Sequence, residues 1–328
     1  MQRVAVIGAG MMGRTHAEAY AAIPNAKLVA ICDSRSDAAE ELANEFSVAA
    51  VADIGQLLKE IDVDAIDICT PTPTHVDVIK AAAAAGKHIA CEKPLARTIS
   101  QAMEADRICE EAGVTLFVAH VLRWFPEYKR LRDMILSGVI GETVEVRASR
   151  QSTTPFRPGN WLTNTQTSGG AVLDLVVHEF DWLRWCYGSA RKVYARGLYN
   201  GQIPDVDYAL VTLRFDSGVI AHVEASWQRP TGFVSSVEVA GTAGLLNYSS
   251  DGARPLVIER RGEDSRVEGL VADICSIVNP YQLELQHFVD CLDSGKTPDV
   301  TGKDGIESVR IAEAALRSIT TGEPVTLA

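Results

Sequence analysis

Three side chains in this chain of 328 residues are of types that move protons, and their surroundings make that role worth testing: Lys93, Asp174 and His178. Lys93 sits in Glu92-Lys93-Pro94, directly after the apolar run His88-Ile89-Ala90-Cys91. A lysine placed between a buried strand and a proline has a fixed backbone, and its amine emerges at the strand's carboxyl end. Asp174 and His178 are four residues apart, so on a helix they share one face. Their neighbours Ala171-Val172-Leu173 and Leu175-Val176-Val177 are apolar, and burying an aspartate and a histidine there without purpose is costly. An aspartate can orient an imidazole or a hydroxyl, and histidine titrates near neutrality. The competing readings are a strand-end lysine paired to Glu92 and a hydrogen-bonded structural Asp/His pair.

Gly8-Ala9-Gly10-Met11-Met12-Gly13 fits G-x-G-x-x-G, follows the strand-like Val4-Ala5-Val6-Ile7 and opens a helix, the context in which this pattern binds a dinucleotide. Gly8 allows the sharp turn, Gly10 lets the backbone approach a pyrophosphate, and Gly13 allows close helix–strand packing. Met11 and Met12 begin the helix whose N–H groups would meet the phosphates. Asp33 ends the second strand, where an acid accepts ribose hydroxyls and repels a 2′-phosphate, favouring NAD. Ser34 and Arg35 follow it, and the arginine keeps NADP open. Thr70-Pro71-Thr72-Pro73-Thr74-His75 ends the fourth strand. Ligands of open α/β sheets sit beyond the strand carboxyl ends, so Thr70, Pro71, Thr72 and His75 are expected along the cofactor with Glu92 and Lys93. A plain proline-punctuated loop competes with that reading. Beside an oxidised nicotinamide ring, Lys93 would feel like charge and partial desolvation. Both suit it to accept or relay a substrate hydroxyl proton as hydride leaves the carbon.

The elements that must position these residues change character near Leu122. Residues 1–121 alternate helices with continuously apolar strands near 4–7, 28–32, 48–51, 65–69, 88–91 and 115–119, as in a parallel sheet covered on both faces. The expectation is α/β, a doubly wound domain. Residues 122–328 read as α+β with a largely antiparallel open sheet: strands at 143–148, 193–197, 208–215, 219–227 and 236–240, helices over 126–136 and 171–186, and a polar loop at 152–168. Phe215-Asp216-Ser217-Gly218-Val219 is a tight hairpin connection. Two helices, near 281–294 and 304–320, close the chain.

Composition narrows the chemistry further. Net charge is −12, which argues against nucleic acid as a partner, since phosphates require clustered positive charge. Apolar residues are 47% and charged residues 23%, as in a soluble globular protein. No run approaches the ~20 apolar residues of a membrane span, and no secretory signal pattern opens the sequence, so no membrane association is expected. The 7 cysteines form no Cys-x-x-Cys, His178-Glu179 does not extend to H-E-x-x-H, and there is no G-x-S-x-G elbow. A disulfide framework, a metal site and a serine hydrolase are therefore not expected. A reducing cytoplasmic setting is the simplest reading.

Together the Gly8–Gly13 fingerprint, Thr70-Pro71 with Thr74-His75, Glu92-Lys93-Pro94, and Gly169-Gly170 with Asp174-Leu175-Val176-Val177-His178 resemble the glucose–fructose oxidoreductase / inositol dehydrogenase / MocA family of NAD(P)-dependent oxidoreductases. The resemblance covers nearly the whole chain and implies a Rossmann domain followed by a substrate-binding and oligomerisation domain. It also implies a catalytic set of Lys93, Asp174 and His178, with His178 as acid/base and Lys93 its partner on one substrate hydroxyl. One departure is Val176, where many members have glycine, which would narrow the pocket. The activity implied is hydride transfer between NAD and a secondary hydroxyl of a sugar, an inositol-like polyol or a sugar derivative, in a homo-oligomer (dimer or tetramer). Two alternatives stay open: an NAD-dependent glycoside-cleaving enzyme working by transient oxidation and elimination, and a redox-silent sugar or NAD sensor. Further substrate contacts are expected from Arg123, Trp124, Asn160, Trp161, Trp227 and Tyr281. Aromatic rings stack on sugar C–H faces while Arg and Asn bind hydroxyls. Each of these reads equally as a core or interface residue, and for Trp182 and Trp185 core packing is the better reading.

Overall fold

The computed structural model describes residues 1–153, 155, 160–198, 207–252, 256–261, 267–271 and 279–327. The chain divides into two compact units, Met1–Trp124 with Val278–Val309, and Phe125–Ile277 with Arg310–Ala328. In the first, strands β1 (Gln2–Ile7), β2 (Ala26–Cys32), β3 (Ala49–Val51), β4 (Ala65–Ile68), β5 (His88–Glu92) and β6 (Leu116–Ala119) alternate with helices α1 (Met11–Ala21), α2 (Ser36–Phe46), α3 (Ile54–Glu60), α4 (His75–Ala84) and α5 (Ile99–Ala112). The strand order is β3-β2-β1-β4-β5-β6, and every pair is parallel. Val4, Ala5, Val6, Ile66, Ile68, Ile89 and Ala90 are fully buried, which is why these strands read as unbroken apolar runs. The order reverses between β1 and β4, so the loops leaving their carboxyl ends flank the switch-point crevice. Local signals agree: the Thr98 hydroxyl accepts the Gln101 N–H at the start of α5, and Gly113 at φ +66° ends it.

The second unit holds α6 (Pro126–Leu136), β7 (Thr143–Ser152), α7 (Thr165–Ser168), a π-helical turn (Ala171–Leu175), α8 (Val177–Tyr187), β8 (Ala190–Leu198), β9 (Tyr208–Phe215), β10 (Ile220–Ser226), β11 (Phe233–Gly241), β12 (Gly244–Ser249), β13 (Leu256–Arg261) and β14 (Val267–Val271). After α9 (Pro280–Ser294) and α10 (Gly302–Thr321), β15 (Val325–Thr326) completes a nine-stranded sheet ordered β14-β13-β12-β11-β7-β10-β9-β8-β15. It is mixed: β7 and β10 run parallel while the other pairs are antiparallel. Alternation places Ala209, Val211, Leu213, Ala221, Val223 and Ala225 in the core and leaves Leu210 and Ile220 exposed on the open face. The hairpin at Phe215–Val219 is present, closed by Gly218 N–H on the Phe215 carbonyl. Strands β12 to β15 extend the sheet beyond those expected from sequence. Part of the expected polar loop at 152–168 lies outside the described residues.

Two expectations need correction. The apolar helix over 171–186 is not one α-helix: Ala171–Leu175 is a π-turn, and the α-helix begins at Val177. Residues 122–328 are also not one continuous unit, because Val278–Val309 belong with the first. The reason is tertiary. Asn279 caps α9, Pro280 takes its first turn and Gly295 ends it, and the buried face Leu285, Phe288 and Val289 joins the first core, with Phe288 stacked 5.5 Å from Phe117 of β6. Among the described residues no helix is long and apolar enough to cross a membrane.

Candidate active site

The glycine loop between β1 and α1 has the shape a pyrophosphate requires. Gly8 stands at φ +106°, and a Cβ there would lie 2.6 Å from the Cys69 carbonyl oxygen at the exit of β4. At Gly13 a Cβ would lie 1.7 Å from the Gly8 carbonyl oxygen, so α1 can cross its own loop only without a side chain. Nothing lies within 4 Å of the Cβ position at Gly10, and the α1 N-terminus has no side-chain cap, leaving its N–H groups for a ligand. Met11 is 80% exposed at the helix start. Asp33 is wedged at the tip of β2, where one carboxylate oxygen accepts the Ala9 N–H (2.8 Å) and the other the Arg35 N–H (2.8 Å). The exposed Arg35 side chain lies 3.6 Å from the same carboxylate. These features fit a dinucleotide. Gly13→Ala must displace backbone at a cost of about 1–3 kcal/mol. It is expected to lower the thermal unfolding midpoint and to weaken NAD binding, both read by calorimetry; an unchanged variant would contradict the contact.

The loops after β4 and β5 are strapped together. His75, the first residue of α4, is buried, with Nε2 2.8 Å from the Thr70 carbonyl and Nδ1 3.0 Å from the Pro94 carbonyl. Burial pushes its imidazole below the ordinary value, so the neutral ring donates to one of the two carbonyls at a time. The structure thus gives His75 a bracing task between the two loops. Thr74 Oγ1 donates to the Pro71 carbonyl at 2.8 Å, Thr70 is half-buried and Thr72 is buried. Glu92, also expected along the cofactor, is 7% exposed and turned inward. One carboxylate oxygen accepts the Lys93 N–H at 3.0 Å, and the other is 3.1 Å from His16 Nε2. Lys93 itself is half-buried, and its bond to Pro94 is cis.

His16 was not singled out from sequence. It is fully buried in α1, with Nδ1 2.8 Å from Asp67 and 3.3 Å from the Cys69 sulfur. Burial alone would lower its imidazole, but the Asp67 charge, joined by Cys69, holds it well above its ordinary value. Burial likewise pushes the Glu92 carboxyl up, and His16, then Lys93, pull it below its ordinary value. The donor atoms of His16, Asp67 and Cys69 lie within 4.8 Å of one another, the one such trio among the described residues. Burial and Asp67 push the Cys69 thiol up to about 12, which disfavours the thiolate a metal would need.

In the second unit, Gly169 (φ +76°) and Gly170 (φ +64°) lead into the π-turn, and a Cβ on Gly169 would strike Leu173 at 2.5 Å. The turn carries Asp174, half-buried, and the first turn of α8 carries His178, half-buried. Single π-turns recur at functional positions. The helix is pinned to the sheet next to His178, where buried Glu179 takes Arg150 Nε of β7 at 2.7 and 2.9 Å. A second unforeseen residue, fully buried Asp207, accepts the Ala171 N–H at 3.0 Å and so caps the π-turn from outside.

With this geometry in place, the known relatives can be set beside it. Residues 2–120 match the oxidoreductase family model with an NAD-binding Rossmann fold, and residues 128–247 match the GFO/IDH/MocA C-terminal domain. The chain is 33% identical to a scyllo-inositol 2-dehydrogenase (NAD(+)) of Bacillus subtilis, over 99% of this chain and 96% of that one. This chain belongs to the GFO/IDH/MocA family. It is also 32% identical to a myo-inositol 2-dehydrogenase of Thermotoga maritima, covering 97% of this chain and 96% of that one. Among solved structures, GenD2 from gentamicin A biosynthesis, in complex with NAD, superposes with a TM-score of 0.88 at 26% identity, over 100% of this chain and 96% of that one.

As a GFO/IDH/MocA oxidoreductase with an NAD-binding Rossmann domain, the chain uses several expected ligand residues structurally. Arg123 is 6% exposed, its guanidinium on Asp304 (3.0 Å) and on the Asp299 carbonyl (2.9 Å). Asn160 accepts the Leu162 N–H (3.1 Å) and donates to the Pro155 carbonyl (2.9 Å), shaping the turn that holds half-buried Trp161. Trp124 packs edge-on to Phe117 at 5.6 Å. Trp227 and Trp182 are buried, the latter donating to the Tyr128 carbonyl, and Arg132 covers Trp185 at 4.0 Å. Tyr281, at the start of α9, is half-buried with its ring 6.2 Å from that of His16.

Asp207 offers a stability test. Burial, with Asp174 nearby, pushes its carboxyl from 3.8 up to about 6 despite the Ala171 N–H. As pH rises from 4 to 7 the unfolded chain gives up this proton first, so folding stability falls over that window. Two pH units correspond to about 3 kcal/mol. Asp207→Asn keeps an oxygen for Ala171 but has no proton to lose. Its stability relative to wild type should therefore rise by about 2 kcal/mol from pH 4 to pH 7 in urea titrations, the rest of the change lying below pH 4. A constant difference would mean that Asp207 is ionised throughout.

Proposed function

We propose that this GFO/IDH/MocA oxidoreductase oxidises a secondary hydroxyl of an inositol-like polyol or sugar with NAD as hydride acceptor. The observation that carries the reading is Lys93, fixed at the carboxyl end of β5 in the NAD-binding sheet, in a chain similar end to end to two inositol 2-dehydrogenases. When bound, the nicotinamide supplies the hydride acceptor. In the second unit His178 is the acid/base for the hydroxyl proton, with Asp174 orienting its ring or a neighbouring hydroxyl, and in the first unit Lys93 offers its amine to the developing carbonyl. Gly8, Gly10 and Gly13 with Met11 and Met12 cradle the pyrophosphate, and Asp33 receives the ribose. Thr70, Pro71 and Thr72 flank the nicotinamide half, while Trp161 and Tyr281 offer rings to the substrate. Arg123 and Asn160 are left out of the ligand set because their polar atoms are engaged within their own units. The open face of the nine-stranded sheet, where Leu210 and Ile220 are 44% and 41% exposed, is the surface for a homo-oligomer.

The test is a panel of inositols, aldoses, sugar acids and glycosides, each with NAD and NADP, followed at the NADH absorbance band. Sustained NADH formation on a free polyol, with NAD preferred through Asp33, is expected. Glycoside cleavage without net NADH would support the elimination alternative instead, and binding without turnover would support a sensor.

A further inference from the structure

We infer that His16 is a positioning residue for Lys93: clamped between Asp67 and Glu92, its ring fixes the carboxylate that holds the Lys93 backbone and offsets the charge that Lys93 faces. The inference deepens the reading of Lys93 as the proton-handling lysine. It rests on a line of contacts within the first unit. Asp67 of β4 meets His16 Nδ1 at 2.8 Å, Nε2 meets Glu92 of β5 at 3.1 Å, and the second Glu92 oxygen accepts the Lys93 N–H at 3.0 Å. All three side chains are 9% exposed or less. The helix that begins at the glycine loop is thereby coupled to the residue that ends β5.

A neutral imidazole donates one proton, so it could satisfy only one of two carboxylates. An imidazolium donates to Asp67 and lays its charge beside Glu92, so neither acid is left uncompensated. Counted with the Lys93 ammonium, whose charge is felt at Glu92, two cations then face Asp67 and Glu92. The other groups around this centre are Cys69 after β4, Tyr20 one turn along α1, and Tyr281 and Glu284 of α9. Burial and Asp67 hold the Tyr20 hydroxyl well above its ordinary value, so it carries no charge near neutrality, and neither does the Cys69 thiol. Removing the His16 charge leaves Lys93 beside uncompensated carboxylates and makes its ammonium harder to deprotonate. Removing the Glu92 charge does the opposite. A purely structural histidine has no reason to give opposite signs.

Competitive acetylation with acetic anhydride across pH, with Lys93 followed by peptide mass mapping, reads the lysine directly in the full-length protein and needs no substrate. In His16→Gln the pH of half-maximal Lys93 labelling should rise by about one unit, and in Glu92→Gln it should fall by about one unit, as for a charge gained or lost within a few ångströms. Shifts of the same sign, or none, would overturn the inference. If His16→Gln does not fold, the Glu92→Gln arm decides alone: a fall supports the charge coupling and an unmoved midpoint overturns it. Because labelling is independent of catalysis, a failure here is distinct from a failure of the catalytic reading, which turnover of a Lys93 variant tests.

Discussion

Lys93→Met is expected to lower turnover about 10³-fold while changing NAD affinity by less than about 3-fold. Positioned acid–base groups contribute ~10²–10⁴, and 10³ corresponds to about 4 kcal/mol of transition-state stabilisation. Methionine keeps much of the length and apolar stem of the side chain but removes the amine. The backbone should stay in place, because Glu92 accepts the residue-93 N–H and His75 braces the Pro94 carbonyl; neither contact involves the Lys93 side chain. The glycine loop and Asp33, which are proposed to carry the dinucleotide, are also untouched. Steady-state turnover on the best polyol of the panel, with calorimetric NAD titration, separates the two effects. If Lys93 were only a strand-end partner of Glu92, turnover would fall a few-fold at most and the loss would appear in thermal stability.

The first sheet was legible because its strands are buried on both faces and its loops carry conformational requirements that only certain residues meet. Gly8 and Gly13 could be assigned to a turn and a helix crossing from spacing alone, and the structure shows the collisions that exclude any side chain there. What escaped was what depends on contacts distant in sequence. The return of α9 to the first core is decided by Leu285, Phe288 and Val289 finding Phe117, and a 3.6-residue periodicity says nothing of which core it faces. His16 looked like one more residue of an alanine-rich helix until Asp67 and Glu92 arrived from two later strands. Asp207 gave no local signal, because its partner, the Ala171 N–H, lies 36 positions earlier.

The π-turn is the case where the sequence misled. The apolar pattern predicts a regular helix over 171–186, with Gly169-Gly170 before it as a place of close approach. The two positive-φ glycines and the external cap from Asp207 instead support a widened turn. Residue type alone does not settle which residues meet a ligand. Arg123 and Asn160 had suitable chemistry, yet a guanidinium committed to Asp304 and an amide committed to its own turn serve the frame. Residue type proposes a role, and the remaining hydrogen-bonding capacity decides it.

His178→Asn is expected to lower kcat for polyol oxidation by about 10²–10³ and to abolish the rise of kcat with pH. Oxidation needs a base, so turnover on wild type should increase with pH as the acid/base group loses its proton. In the reducing direction the dependence should invert, because the same group must then donate. Asparagine can keep one hydrogen bond but cannot titrate, so both slopes should vanish together and the remaining activity should not vary with pH. Placement favours a specific loss over general collapse. His178 is half-buried on the first turn of α8, and the neighbouring Glu179–Arg150 pair ties that helix to β7. Asp174→Asn should cost less, about 10-fold, and preserve the pH slope, since an orienting group can be replaced in part by an amide. Retention of the full pH dependence in His178→Asn would move the proton to Lys93 and leave the histidine a binding role.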